Sequence, residues 1–149
     1  MNSESQRGYT LYFSYGSNMF EPQFKERCPN SFVLCRAELA NHRFVITTSG
    51  YASVVKEIGS IAHGLLCALA PADEAELDRR EGVVNGDYRR EECVVATELD
   101  YPVHVLVYID NAQGEGKPNP GYLEKILAGA LRHELPVEAI IEIASWDKH

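Results

Sequence analysis

The sequence predicts an α+β domain: a small mixed sheet, curled toward a barrel and flanked by helices. Three observations lead there. The chain has 149 residues, the size of one domain. Its strand-like runs follow one another with little helix between them, unlike the alternation of a doubly wound parallel sheet. The periodicity reads strand, helix, about four strands, helix, two strands, two helices, with no internal repeat.

Each element has a local reason. Residues 9–15 are aromatic and β-branched, hence a strand, and Gly16 ends it. Asn18 reads as an N-cap with Glu21 completing a capping box, and the helix runs to Arg27 before Cys28-Pro29-Asn30. Residues 32–39, 43–48, 52–55 and 61–70 are the next strands, with Gly50 and Gly59 as breaks. Residues 63–70 are nearly all apolar, as a strand buried on both faces would be. Asp73 reads as an N-cap with Glu76 at the capping-box position, for a helix over 74–81 with Gly82 at C′. Residues 88–97 and 103–110 form a hairpin turning at Asp100-Tyr101-Pro102. A Gly/Pro/Asn-rich loop over 111–120 leads into helices over 121–132 and 136–145, with Pro136 suited to the first helical position. Tyr122, Ile126, Leu127, Ala130 and Leu131 share one apolar face, and Val137, Ile140, Ile141 and Ala144 another. Both suit core packing, with a homodimer contact as the alternative to a monomer.

Composition excludes several functions. Lys plus Arg is 14 against 22 for Asp plus Glu, a net charge of −8, so neither nucleic acid nor an anionic membrane is an expected partner. No apolar run reaches the ~18 residues of a membrane span, and the polar start over residues 1–8, read as a loose N-terminus, lacks the apolar core of a signal peptide. Cys28, Cys35, Cys67 and Cys93 show no metal-site spacing and read as reduced thiols of a cytoplasmic protein. No metal site and no cofactor is expected: GxGxxG, the P-loop, HExxH and GxSxG are all absent, and the five histidines are scattered.

Two segments remain. Tyr12-Phe13-Ser14-Tyr15-Gly16-Ser17-Asn18-Met19 is a strand opening into a helix, which presents backbone N–H groups suited to a carboxylate or an oxyanion. An ordinary strand-to-helix turn explains the same residues. Glu81 sits at a helix C-terminus, the wrong end of the dipole for a carboxylate. Taken alone it reads as a solvated Glu beside Arg79 and Arg80.

Together these segments resemble the γ-glutamylcyclotransferase-like family. The resemblance rests on four motifs in order: Tyr15-Gly16-Ser17-Asn18-Met19, Glu81-Gly82, Gly86-Asp87-Tyr88 and Pro120-Gly121-Tyr122. It implies a small mixed β-barrel flanked by helices, with a cavity between the Gly16 turn and Glu81. It implies that Glu81 is the catalytic acid and base, with a pKa raised by its pocket. Tyr12, Phe13, Ser14, Tyr15, Gly16, Ser17, Asn18 and Tyr88 would bind substrate, and Tyr122 would close the site. The implied substrate is a γ-glutamyl amino acid or amine, and the implied activity a cofactor-free cyclisation to 5-oxoproline. The spelling Gly-Ser-Asn-Met is closer to the γ-glutamyl-amino-acid branch than to the Gly-Ser-Leu or Gly-Thr-Leu branches. Two alternatives stand beside this reading: γ-glutamyl deprotection of a biosynthetic intermediate by the same chemistry, and a non-catalytic binding module on the same fold.

Overall fold

The computed structural model describes residues 8–148. The segment expected to be a loose N-terminus lies outside the described residues apart from Gly8. Five strands, β1 (Thr10–Ser14), β2 (Phe32–Ile46), β3 (Ala52–Leu69), β4 (Tyr88–Thr97) and β5 (Val103–Asp110), close into a barrel in the order β1-β3-β2-β4-β5. The sheet is mixed: β1 and β5 run parallel, with Tyr12 opposite Leu106, and every other pairing is antiparallel. Four helices flank it: α1 (Glu21–Arg27), α2 (Pro71–Arg80), α3 (Tyr122–Arg132) and α4 (Val137–Ser145).

Four expected strands are in fact two. β2 and β3 are continuous, at 15 and 18 residues, and pair along almost their whole length. The irregularities read from the sequence are real but local. Asn41 takes a positive φ, and residues 57–60 loop out of β3 before both strands resume on the same partner. Such bulges bend a strand without ending it. The far half of β3, from Gly64 to Leu69, is buried throughout, as its apolar run requires.

Both expected N-caps are placed differently. α1 begins at Glu21 with Pro22 in its first turn, and Asn18 lies in a separate 3-10 turn over Ser17–Met19. α2 begins at Pro71 with Ala70 as its cap. In each case proline, preorganised for a first turn, sets the start. Asp73 is buried in the first turn of α2, where its carboxylate accepts from the Asn30 N–H at 2.8 Å and the Ser31 hydroxyl at 2.6 Å. It thereby ties α2 to the turn after α1. Pro136 caps α4 rather than entering it.

The α4 face is also corrected. Ala139 and Ile143 are the buried pair, with Leu135 and Trp146, whereas Val137 and Ile141 are more than 60% exposed. Apolar residues surround this helix, so spacing alone does not choose its inner face. α3 packs through Leu123, Ile126 and Ala130, and it approaches the 3-10 turn at Gly129. A Cβ on Gly129 would lie 2.4 Å from the Met19 carbonyl carbon, so only glycine lets α3 sit this close to the turn. That approach places Tyr122 and Lys125 beside Ser17.

Candidate active site

The C-terminal ends of β1 and β5, the start of β3, the start of β4 and the end of α2 meet on one side of the barrel. An open cleft of about 820 Å³ lies there. Ser17, Glu81, Tyr88 and Tyr122 line both this cleft and a recess of about 40 Å³ at its floor. Tyr12, Tyr15, Gly16, Asn18, Ala52 and Tyr108 complete the recess.

Glu81 is delivered by the way α2 stops. Gly82 takes φ +65°, its N–H donates to the Arg79 carbonyl at 3.1 Å, and the Val83 N–H donates to Asp78 at 3.0 Å. This is a Schellman closure with glycine at C′, as read from the sequence. It leaves Glu81 as the C-cap, its side chain turned off the helix into the cleft. No described residue donates a hydrogen bond to its carboxylate. Burial pushes its carboxyl up to about 7, with Arg27 pulling the other way and Asp110 adding to the rise.

The tyrosines differ in what they can offer a ligand. Tyr15 donates to the Tyr108 carbonyl at 2.5 Å and Tyr88 to the Ala52 carbonyl at 2.6 Å, so both hydroxyl protons are committed. The Tyr12 hydroxyl instead accepts from Asn18 Nδ2 at 3.2 Å, and that of Tyr122 from the Ala52 N–H at 3.1 Å. Their own protons are left to donate into the recess. Burial, with the Glu81 carboxylate adding to it, raises the pKa of Tyr12 and Tyr122, so both stay protonated donors. In the 3-10 turn the first internal bond runs from the Met19 N–H to the Gly16 carbonyl, so the turn itself supplies no acceptor for the N–H groups of Ser17 and Asn18. Gly16 fits against Tyr122, since a Cβ there would be 3.4 Å from the Tyr122 hydroxyl.

The structure therefore brings together Glu81, Tyr12, Tyr15, Gly16, Ser17, Asn18, Tyr88 and Tyr122. Phe13 and Ser14, also expected there, line neither space. Alternation along β1 turns Phe13 away from the side of Tyr12, and its ring is fully buried over Gly64. Ser14 is buried, and its hydroxyl has no partner among the described residues.

Sequence reasoning missed Asp110 and Arg27. Asp110 is buried at the end of β5 and accepts from Thr47 Oγ1 at 2.7 Å, Ser49 Oγ at 2.6 Å and the Ala112 N–H at 2.8 Å. An acid ending an apolar strand was the available signal. Arg27 lines the cleft and donates to Asn18 Oδ1 at 3.2 Å. Nothing local to α1 marks it.

The AIG2-like family matches residues 62–142, a span that includes Glu81, Tyr88 and Tyr122. Among curated relatives, a human gamma-glutamylcyclotransferase is 28% identical over 86% of this chain and 73% of its own length. A mouse gamma-glutamylcyclotransferase is 27% identical over 89% and 77%. Among solved structures, a gamma-glutamyl cyclotransferase superposes with a TM-score of 0.85 at 24% identity, over 92% of this chain and 87% of that one. An uncharacterised human protein gives 0.86 at 25%, over 93% and 88%. No helix among the described residues is long and apolar enough to cross a membrane. With more than half of its length matched, the chain belongs to the AIG2-like family.

Proposed function

We propose that this protein converts a γ-glutamyl amino acid or amine into 5-oxoproline and the free amine. The observation that carries the reading is Glu81, a half-buried carboxylate that no described residue reaches with a hydrogen-bond donor, facing the recess formed by the Gly16 turn and five tyrosines. The curated relatives named gamma-glutamylcyclotransferase support it.

In this reaction nucleophile and electrophile belong to one molecule. Holding the glutamyl chain folded meets much of the entropic barrier, so the protein need not supply a nucleophile. Glu81 takes a proton from the substrate's α-ammonium, and the freed amine attacks the γ-carbonyl carbon, closing the five-membered ring. The tetrahedral oxyanion takes hydrogen bonds from Tyr12, Tyr122 and the Ser17 and Asn18 N–H groups. It then collapses and the bond to the leaving nitrogen breaks as Glu81 hands that nitrogen its proton. Glu81 next takes the second proton from the ring nitrogen and passes it on, leaving the neutral lactam and the free amine as its ammonium. A pKa of about 7 suits a group that must both accept and donate near neutrality. Mass spectrometry of 5-oxoproline released from a panel of γ-glutamyl dipeptides tests the assignment. Release is expected, and its absence across the panel would leave a binding module.

The pH dependence follows from the same carboxyl. Since the free enzyme needs Glu81 as carboxylate, kcat/KM is expected to rise as pH climbs through about 7. Asp110 disfavours that carboxylate, so Asp110→Asn should move the acidic limb to lower pH. Asparagine keeps an acceptor for the Ala112 N–H, and the Thr47 and Ser49 hydroxyls can rotate to meet its amide. A pH–rate profile with an unmoved limb would mean that Asp110 does not set the charge of Glu81.

A further inference from the structure

The chain is strongly acidic, with 22 Asp and Glu against 14 Lys and Arg, so its cations have carboxylates close at hand. Among the described residues every other arginine is in an ion pair, whereas Arg27 is in none. Lys125 is also outside any ion pair among the described residues. Both line the cleft that holds Glu81. Arg80, on the same cleft, is occupied by Glu76 at 2.7 Å.

The two free cations are held, not loose. Lys125 Nζ donates to Gln23 Oε1 at 3.3 Å, and Gln23 Nε2 donates to Ser17 Oγ at 2.7 Å and Asn18 Oδ1 at 3.0 Å. Arg27 donates to that same Asn18 oxygen. One polar chain therefore fastens both cations to the turn that carries Ser17 and Asn18. These bonds use one N–H of each cation; both side chains line the cleft, and their other donors have no partner among the described residues. Charge is sorted by wall: Arg27 and Lys125 stand on α1 and α3, while Asp87 and Asp110 stand at the adjacent ends of β4 and β5.

We infer that Arg27 and Lys125 are the specificity-determining residues of this cleft: they form the wall that recognises a carboxylate on the leaving amine, and so set how strongly a γ-glutamyl amino acid is favoured over a γ-glutamyl amine. The inference rests on the cyclisation reading of the site. Position decides which end of the substrate they meet. Both cations line the open cleft and neither lines the recess where the Tyr12, Gly16 and Asn18 surfaces meet Glu81. With the γ-carbonyl at Glu81, the group beyond the scissile bond extends outward along α1 and α3. A guanidinium and an ammonium there match a carboxylate. The acids opposite turn the same group away from β5.

The test compares γ-glutamyl-alanine with γ-glutamyl-alaninamide, which differ only in that carboxylate. The parent is expected to favour the acid in kcat/KM by about tenfold or more, as a charge-assisted pair implies. Arg27→Met, Lys125→Met and the double variant should erase that preference while the amide is still turned over. Because both substrates use the same Glu81, their ratio is insensitive to any change in its proton affinity. A preference that survives the double variant, or an equal fall on both substrates, would overturn the inference. The same pair is titrated by calorimetry into Glu81→Gln with and without the two cations. Tighter binding of the acid that depends on Arg27 and Lys125, with no turnover by the parent, would uphold the wall and overturn cyclisation. Turnover without any preference would do the reverse.

Discussion

Glu81→Gln should abolish turnover, lowering kcat by ~10²–10⁴ while KM changes little, because the amide keeps shape but cannot carry the proton. The same substitution should stabilise the protein above neutral pH. Burial raises the Glu81 carboxyl to about 7 in the folded chain, above the ordinary carboxylate value of the unfolded one. Between those two values the folded state holds a proton that the unfolded state has released. Wild-type stability therefore falls through that window as pH rises, and the loss is complete above the folded value. Glutamine has no charge to bury, so the variant escapes the fall. A gain of about 1–3 kcal/mol at pH 8, vanishing near pH 4, is expected from the size of the shift, and urea titrations at the two pH values read it. A variant that keeps wild-type kcat would remove Glu81 from the chemistry. One that is inactive but no more stable at pH 8 would mean that its charge is already well solvated.

Phe13→Ala should cost about 3–5 kcal/mol, as for buried aromatic truncations generally, and lower Tm by roughly 10 °C. Phe13 stands between Tyr12 and Ser14, inside the segment that resembles a substrate site, yet its ring is fully buried and packs where Gly64 has no side chain. A Cβ on Gly64 would lie 2.9 Å from that ring and 2.2 Å from the Ser14 carbonyl oxygen, so the strand crossing is built around the phenyl group. Removing it leaves a cavity at the β1–β3 pairing, where Phe13 faces Leu66. Thermal denaturation with KM measured well below the new Tm separates the roles. A fall in Tm with KM preserved marks a core residue, and a raised KM at unchanged Tm would restore Phe13 to the binding site.

What the sequence by itself determined is local or combinatorial. The order of elements, the Gly82 ending of α2 and the β4–β5 hairpin depend on residues within a turn or two, where backbone preference decides. The four motifs were legible because their order along the chain carries the likeness, even though no single one did. Tertiary structure decided the rest. Asn18 and Asp73 are good N-caps by local rules, but the Asn18 amide oxygen is claimed by the Gln23 and Arg27 side chains of α1, and the Asp73 carboxylate by Asn30 and Ser31, which are remote in sequence. Whether β2 and β3 stop or bulge depended on the partner strand, which local pattern does not name. Arg27 and Asp110 entered the cleft through barrel closure. β5 pairs with β1 in parallel and brings Asp110 to the side where β1 delivers Ser17 and α1 delivers Arg27. Such a meeting of distant side chains is set by packing, and no spacing along the chain encodes it.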